Sequence, residues 1–567
     1  MIMKNIVVVE CKSTGKNFIE DIANMGYNPI ILQTRVANTE EGKSYLQAIR
    51  NGLDSLKHDF ELIHEKDTYE ETLEMVKEYD PLLVLPANER EVILASKLAY
   101  DLDLLCNDVA NLDAMTLKDA MQNRIAECGL RHIRGKKVTH LEDALEFYDS
   151  EELTDVVIKP VYGAGSTSVR ICESREEFIN VFKLLATRTN QYGDENEEFL
   201  IQERINGEEY IVNTVSSEGI HRVTTVWKYH KIKTNDGAIL YDSMDSVNEL
   251  SIGEAKMIEY AYKVADALGI KYGSVHGEYM IDEKGPVLIE VNCRPMDGDM
   301  SVEFLDRVSG QHETDSILYA YLKPDLFKEQ LKKQYQLYAH ASLKFFIVPK
   351  GIVARSAPMK NISLKLKSHL RTSLDDIDYG NSKYYVKTED LDTSPGTMYL
   401  VHEDLSVVQK DIEFIRNIEK NAFSMVLSSE THDAELKDDD TYINDIRPLV
   451  ENCERFGIGL LVTDQFIDDI DILQVKPQDV ENITGTFDFI VINLNKIIFN
   501  KPSKDVIESM WGSFSKIKKN GLIFIPENTY ELFVGGKNSM EVLIKAAGLK
   551  IVLPPYGLYD TIIASKN

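Results

Sequence analysis

The chain has 567 residues, 43% of them hydrophobic and 28% charged, too long for a single core and ordinary in composition for a multidomain globular protein. Its 93 acidic against 63 basic residues leave a formal net charge of −30, a surface that repels phosphate backbones and anionic lipid and so disfavours nucleic acid and membrane as partners. No apolar stretch approaches the roughly 20 residues that span a bilayer. The short apolar run at the start is expected as a first strand and not a signal peptide. Six scattered cysteines (Cys11, Cys106, Cys128, Cys172, Cys293, Cys453) have no paired spacing and are expected as free thiols in a reducing cytoplasm.

Residues 5–9 (NIVVV), 30–32 (IIL) and 82–86 (LLVLP) read as buried strands with helical runs between them, a small doubly wound α/β domain ending near 110. Ser13-Thr14-Gly15-Lys16 lacks the first glycine of a phosphate loop and is expected as a turn entering a helix. From about 112 the pattern changes. A helix near 116–128 precedes a strand–loop–strand unit at 156–171, strands at 199–203 and 209–215, a helix at 253–268 and a hairpin at 277–292. Such α+β pieces imply antiparallel sheets that clamp something between them. Another mixed segment covers 340–425, with a helix near 405–421. The acidic run at 432–442 (HDAELKDDDTY) reads as a linker or exposed helix start. Strand-like runs at 459–462, 487–492, 521–525 and 549–552 then make a second α/β domain. The expected boundaries are 1–111, 112–198, 199–330, 331–428 and 429–567.

The segment HGEYMIDEKGPVLIEVNCRP (276–295) is the most informative. A three-residue turn at Glu283-Lys284-Gly285 would pair Asp282 with Pro286 and set Glu278 directly opposite Glu290. Alternation puts Asn292 on that face, with Tyr279, Ile281, Val287, Ile289 and Val291 on the other. Met280 and Leu288 then lie between the ligands and Asp282. Facing carboxylates repel, and a hard cation with oxygen ligands removes that cost. Magnesium suits one or two carboxylates plus nucleotide phosphates. An exposed hairpin with incidental acids is the alternative.

Residues 155–171 (DVVIKPVYGAGSTSVRI) end a strand at Lys159-Pro160 and continue into a loop of Gly163, Gly165, Ser166, Thr167 and Ser168. Small residues let backbone N–H groups approach phosphate oxygens, although a plain turn has the same composition. Lys159 and Lys118 are two lysines able to meet a nucleotide. A strand break at Asn206-Gly207 could offer main-chain groups to an adenine edge, and Glu209 a carboxylate to ribose hydroxyls.

In this order the pieces resemble the ATP-grasp superfamily: Lys118; Lys159 with GAGSTS; Gln202-Glu203-Arg204-Ile205-Asn206-Gly207-Glu208-Glu209; Glu278; and Glu290-x-Asn292-x-Arg294. The resemblance covers about residues 1–425. PANEREVILASKLA (86–99), HGEYM, GPVLIEVNCRP and TEDLDTSPG (388–396) point to the carboxylate–amine ligase branch that contains L-amino acid ligases. The implied fold is α/β and α+β multidomain, an ATP-grasp fold with an N-terminal Rossmann-like domain. The resemblance implies that Lys118 and Lys159 contact the ATP phosphates and purine, and that the 163–168 loop closes over the β- and γ-phosphates. Gln202, with the backbone of Glu203 and Ile205, receives adenine, and Glu209 holds ribose. Glu278, Glu290 and Asn292 bind magnesium or manganese, and Arg294 steadies the transferred phosphoryl group. His276 reaches the substrate or acts as base; a packed histidine is the alternative. The glycine pair common after that arginine is replaced by Pro295-Met296-Asp297-Gly298-Asp299.

The implied reaction is ADP-forming. ATP phosphorylates a carboxylate, and an amine displaces phosphate to give an amide. The expected partners are small-molecule acids and amines, amino acids above all, with a homodimer left open. Residues 440–567 resemble the last four strands of a class I methyltransferase. FGIGLLVTD (456–464) is read as a remnant around its second strand, and no glycine-rich loop for S-adenosylmethionine is evident. A degenerate methyltransferase-like α/β docking module is the preferred expectation. The rivals are a bifunctional ligase–methyltransferase and a biotin-carboxylase-like enzyme, the latter without a Met-Lys-Met attachment sequence in this chain.

Overall fold

A computed structural model describes residues 3–35, 46–161, 169–186, 198–234, 239–348, 352–354, 366–374, 383–385, 387–424 and, in pieces, 450–566, apart from isolated positions. The acidic run at 432–442 and the loop 163–168 lie outside the described residues. The chain divides into two compact units. The first holds residues 1–343, 390–392 and 401–405, and the second holds 344–389, 393–400 and 406–567. No helix among the described residues is long and apolar enough to cross a membrane, and Cys11, Cys106, Cys128, Cys172 and Cys293 are free thiols.

The first unit opens with a parallel sheet of β1 (Asn5–Val9), β2 (Asn28–Gln33), β3 (Glu61–His64) and β4 (Pro81–Pro86), in the order β3-β2-β1-β4. The unbroken apolar run of β1 follows from burial on both faces. Ile6 and Val8 pack with Phe18, Ile22 and Ile317, whereas Val7 and Val9 pack with Val76, Ala95 and Leu98. Ser13–Lys16 is a short 3-10 helix running into the helix Asn17–Asn24, as its missing glycine implied.

A second sheet contains β5 (Gly135–Val138), β6 (Val156–Pro160), β7 (Arg170–Cys172) and β8 (Phe199–Glu203), antiparallel in the order β5-β8-β6-β7. A third contains β9 (Glu208–Ser217), β10 (Ile220–Lys233), β11 (Ile239–Ser246), β12 (Gly273–Asp282), β13 (Gly285–Asn292) and β14 (His340–Phe345), in the order β13-β12-β9-β10-β11-β14. The helix Ile252–Leu268 starts at a Ser251/Glu254 capping box and ends at Gly269 with φ +76°. It packs Met257, Ala261, Val264 and Leu268 against Tyr279, Leu288 and Val291.

The hairpin departs from its expected turn. The turn has two residues, Glu283 and Lys284, with Asp282 opposite Gly285 and Ile281 opposite Pro286. The register shifts between Glu278 and Tyr279, so that Tyr279 faces Leu288 while Glu278 still faces Glu290. One extra residue in β13, near Ile289, therefore does what the longer turn was expected to do. Leu288 consequently joins Tyr279 and Val291 in the core instead of lying among the ligands, and Val287 and Ile289 leave that core face.

The helix Lys118–Glu127 satisfies the irregular backbone. Gln122 Nε2 donates to the carbonyls of Leu288 (2.9 Å) and Ile289 (3.2 Å), while its Oε1 accepts from Ile133 N–H (2.9 Å). Val291 N–H donates to Met121 Sδ at 3.3 Å. Arg131 clamps the turn, pairing both oxygens of Asp282 at 2.7 and 2.6 Å and donating to Gly285 O.

In the second unit, β15 (Ile352–Ala354), β16 (His369–Leu374), β17 (Lys383–Tyr385) and β18 (Gly396–His402) form two antiparallel pairs, β15–β17 and β16–β18. A further sheet contains β19 (Gly459–Thr463), β20 (Leu473–Val475), β21 (Phe487–Asn493), β22 (Ile517–Ile525), β23 (Leu549–Leu553) and β24 (Ile562–Lys566), in the order β20-β19-β21-β22-β24-β23. Its first four strands are parallel, and β24 is antiparallel to both β22 and β23.

We predict that Gln122→Leu, which fills the same space but strands two carbonyls and one N–H, lowers unfolding free energy by about 1–3 kcal/mol. Urea denaturation checks this; a loss below about 0.5 kcal/mol would show that the bulge does not depend on Gln122.

Candidate active site

Glu278 on β12 and Glu290 on β13 face each other, with His276 opposite Asn292 on the same two strands. The structure brings Lys118 to this pair: its Nζ lies 3.2 Å from Glu290 Oε2, with both side chains largely buried. Lys159, at the end of β6, is only 6% exposed. Burial pushes its ammonium down to about 8 against the pull of Glu290. Burial also works against the Lys118 ammonium, but Glu290 outweighs it, with Glu89 and Glu278 behind, and holds Lys118 above the ordinary lysine range.

Burial similarly disfavours the Glu278 anion, yet His276, Lys231 and Tyr229 together hold its carboxyl down at about 2. Tyr229 Oη donates to Glu278 Oε1 at 3.2 Å. The Glu278 carboxylate thus stays ionised on a largely buried sheet face because of the charges and the phenol around it.

Among the described residues no three or more His, Cys, Asp or Glu side chains group as a metal cage. Two carboxylates and the Asn292 amide are an incomplete, all-oxygen set. That set fits magnesium, which keeps waters and takes its remaining ligands from phosphates.

His276 is held on both sides. Its Nδ1 lies 3.0 Å from Asn213 Oδ1, and its Nε2 lies 3.6 Å from Glu278 Oε1. The Asn213 amide nitrogen donates to Thr225 Oγ1 (3.0 Å) and Met296 Sδ (3.4 Å), so its oxygen accepts and His276 Nδ1 is the donor. This places His276 as a positioning residue for Glu278 more than as a free base.

The nucleotide-edge residues are differently placed. Glu209 pairs with Lys231 at 2.6 Å, and the Lys231 ammonium lies over the rings of Tyr241 (4.2 Å) and Tyr229 (4.7 Å). Burial opposes the Lys231 charge, but Glu209 and its neighbours hold it well above the ordinary lysine range. Gln202 is buried on β8, paired with Val157 and Gly135. The Glu203 N–H is already donated to Arg134 O (2.9 Å), and its carboxylate accepts from Arg134, so its backbone N–H is not available to adenine. Ile205 lies in the β8–β9 connection. There a Cβ on Gly207 would stand 2.4 Å from Ile281 O, which requires glycine. Gly163, Gly165, Ser166, Thr167 and Ser168 fall outside the described residues.

Arg294 is buried, with its Nη1 donating to Pro295 O (3.0 Å) and its Nε 3.7 Å from Glu89 Oε2. Four backbone donors of the segment after it are engaged. Met296 N–H goes to Glu313 (2.5 Å), Gly298 N–H to Asp297 (2.7 Å), Asp299 N–H to Ser13 Oγ (2.7 Å) and Met300 N–H to Thr14 Oγ1 (2.9 Å). Lys16 pairs with Asp299 at 2.6 Å. The last two N–H groups and the Lys16 pair fasten the segment to the N-terminal sheet domain.

Two acids missed in the sequence belong to this group. Glu89 follows β4 at the carboxyl end of the parallel sheet, and burial pushes its carboxyl up to about 7 despite Arg294 and Lys118. Its Oε2 has no hydrogen-bond partner among the described residues. An acid beyond the carboxyl end of a sheet strand was a usable signal. Glu313 starts the helix Glu313–Leu322, where an acid is ordinary, so nothing in the sequence marked it. Behind Arg294 a cavity of about 40 Å³, lined in part by Phe18, Val92, Met115, Cys293 and Tyr321, has room for a few waters.

Residues 153–303 match the family profile described as ATP-grasp domain. The chain is 24% identical over 431 residues to dapdiamide A synthase of Enterobacter agglomerans, covering 75% of this chain and 98% of that protein. In fold it is similar to an L-amino acid ligase from Bacillus licheniformis (TM-score 0.56, 14% identity, 73% of this chain and 97% of the other). It is also similar to carboxyaminoimidazole ribonucleotide synthase from Aspergillus clavatus complexed with ATP (TM-score 0.52, 12% identity, 74% and 98%). The ordered motifs, the paired carboxylates and these likenesses agree: residues 153–303 carry an ATP-grasp domain, in a chain similar over three quarters of its length to dapdiamide A synthase.

Proposed function

We propose that the protein is an ADP-forming ligase that activates a carboxylate with ATP and magnesium and joins it to an amine, with amino acids as substrates. The observation that carries this reading is the Glu278–Glu290 pair with Lys118 at 3.2 Å from Glu290, Lys159 within electrostatic reach and Arg294 two residues beyond Asn292.

A carboxylate and a triphosphate are both anions, so their approach must be neutralised by fixed charge. Magnesium on Glu278, Glu290 and Asn292 would supply Lewis-acid charge beside the β- and γ-phosphates. Lys118 and Lys159 hold phosphate oxygens. Arg294 orients the acid and the transferred phosphoryl group. The carboxylate oxygen attacks the γ-phosphorus and ADP leaves. The amine nitrogen then attacks the acyl carbon, phosphate leaves, and the amine proton must go to a base. Glu89, half-buried and shifted to about 7, is suited to take it.

For the second unit we infer a methyltransferase-like docking module. The strand order β20-β19-β21-β22-β24-β23 with a reversed β24 supports this reading. Its β19 lies between β20 and β21, one strand in from the edge of the sheet. The residues after it, Thr463-Asp464-Gln465, contain no glycine to approach S-adenosylmethionine.

The test is ADP release across amino acids, singly and in pairs, with a signal that needs one acid and one amine. Glu290→Gln and Arg294→Ala should each abolish release while the far-ultraviolet circular dichroism is unchanged; full turnover in either would overturn their assignment. Lys159 loses its proton near pH 8 in the free protein, so ATP binding above pH 8 must take a proton up. Affinity should fall by up to about tenfold per pH unit above 8. In Lys159→Met, titration calorimetry should find this dependence gone; an identical slope would clear Lys159 of phosphate contact. Glu89→Gln should slow amide formation by roughly 10²-fold or more while acid-dependent ADP release persists. Equal losses in both would place Glu89 in the activation step instead.

A further inference from the structure

One buried acid beside Arg294 has no part in the phosphate or metal chemistry. Glu313 is 3% exposed. Its Oε2 accepts the Met296 N–H at 2.5 Å, tying the helix Glu313–Leu322 to the segment that follows Arg294. Its Oε1 is buried and has no hydrogen-bond partner among the described residues.

Burial pushes the Glu313 carboxyl up, and His276, Arg294 and His312 act against that shift. None of them is placed to serve Oε1. His312 is engaged on both ring nitrogens, by Asp21 at 3.0 Å and Asp306 at 2.8 Å. His276 is engaged by Asn213 and faces Glu278. Arg294 donates to Pro295 O and faces Glu89. A buried carboxylate oxygen without a donor is costly, and such groups in folded proteins call for an explanation in function or bound solvent.

We infer that Glu313 Oε1 receives the ammonium group of the carboxylate substrate, which makes the activated acid an amino acid and not a simple carboxylic acid. The inference rests on the ligase reading above. The anchors for the two ends of a zwitterion belong to one short stretch of chain. Arg294 takes the carboxylate, and two residues on, the Met296 N–H fixes the carboxylate that takes the ammonium. An ammonium brings three donors into a place where the protein supplies none. A deaminated acid leaves Oε1 buried and unpaired, and sites of that kind reject the lacking analogue strongly.

The experiment uses the full chain loaded with magnesium and a non-hydrolysable ATP analogue. Calorimetry measures binding of the twenty common amino acids one at a time, and of their deaminated counterparts such as propionate and isovalerate. At least one amino acid should bind on the order of 10²-fold more tightly than its counterpart. Glu313→Gln keeps an amide oxygen for the Met296 N–H and puts an amide donor where the ammonium would sit. It should erase that preference without changing the thermal midpoint or the affinity for the ATP analogue. Equal binding of acid and deaminated acid, an unchanged preference in Glu313→Gln, or binding of no amino acid would each overturn the inference. Acid-dependent ADP release from a simple carboxylic acid would sink the role of Glu313 alone, whereas failure to bind the ATP analogue would sink the ligase reading.

Discussion

Two carboxylates set opposite each other on adjacent strands repel, and a fold that buries them must answer the repulsion with fixed charge. The hairpin of β12 and β13 does this with Glu278 and Glu290, and much of the first unit is arranged around the result. Lys118 reaches Glu290 from the helix whose Gln122 and Met121 satisfy the irregular backbone of β13. His276 reaches Glu278 from the same strand and Tyr229 from β10 of the same sheet, and Lys231 acts on it through the field. The same helix thus supplies a cation for the acid and donors for the bulge that brings the acid into register.

This arrangement is preorganised before any ligand arrives. The groups that would stabilise phosphoryl transfer are buried and cross-braced, so little reorganisation remains for the moment of reaction. The N-terminal sheet domain takes part directly. Ser13, Thr14 and Lys16 hold the segment after Arg294, and Glu89 faces the guanidinium from the end of β4. A short turn that resembles a phosphate loop in composition therefore acts as a clasp on the segment that follows Arg294.

Much of this was legible in the sequence because period-two alternation and motif order are local. The facing of Glu278 and Glu290 was expected from a three-residue turn, and a two-residue turn with a bulge in β13 produces the same pairing while changing the faces of Val287, Leu288 and Ile289. A bulge is fixed by a partner far along the chain, here Gln122, and leaves no local mark in β13. The strands β10 and β11 were missed because segments such as WKYHKIK carry lysines that fold back onto tyrosine rings and carboxylates. The pairing of Glu209 with Lys231 left no mark in the sequence because Lys231 lies on another strand. Glu89 could have been singled out by its place after β4, whereas Glu313 could not be told from an ordinary helix-start acid until its burial and missing donor were visible.

The central claim is that the hairpin acids hold a divalent ion only together with a nucleotide triphosphate. Manganese is the direct probe, since its electron paramagnetic resonance signal changes on binding. With wild-type protein, a non-hydrolysable ATP analogue should create a bound manganese population that is absent without nucleotide. The Glu278→Gln/Glu290→Gln double variant should lose it. Nucleotide-dependent manganese binding that survives in the double variant would contradict the account.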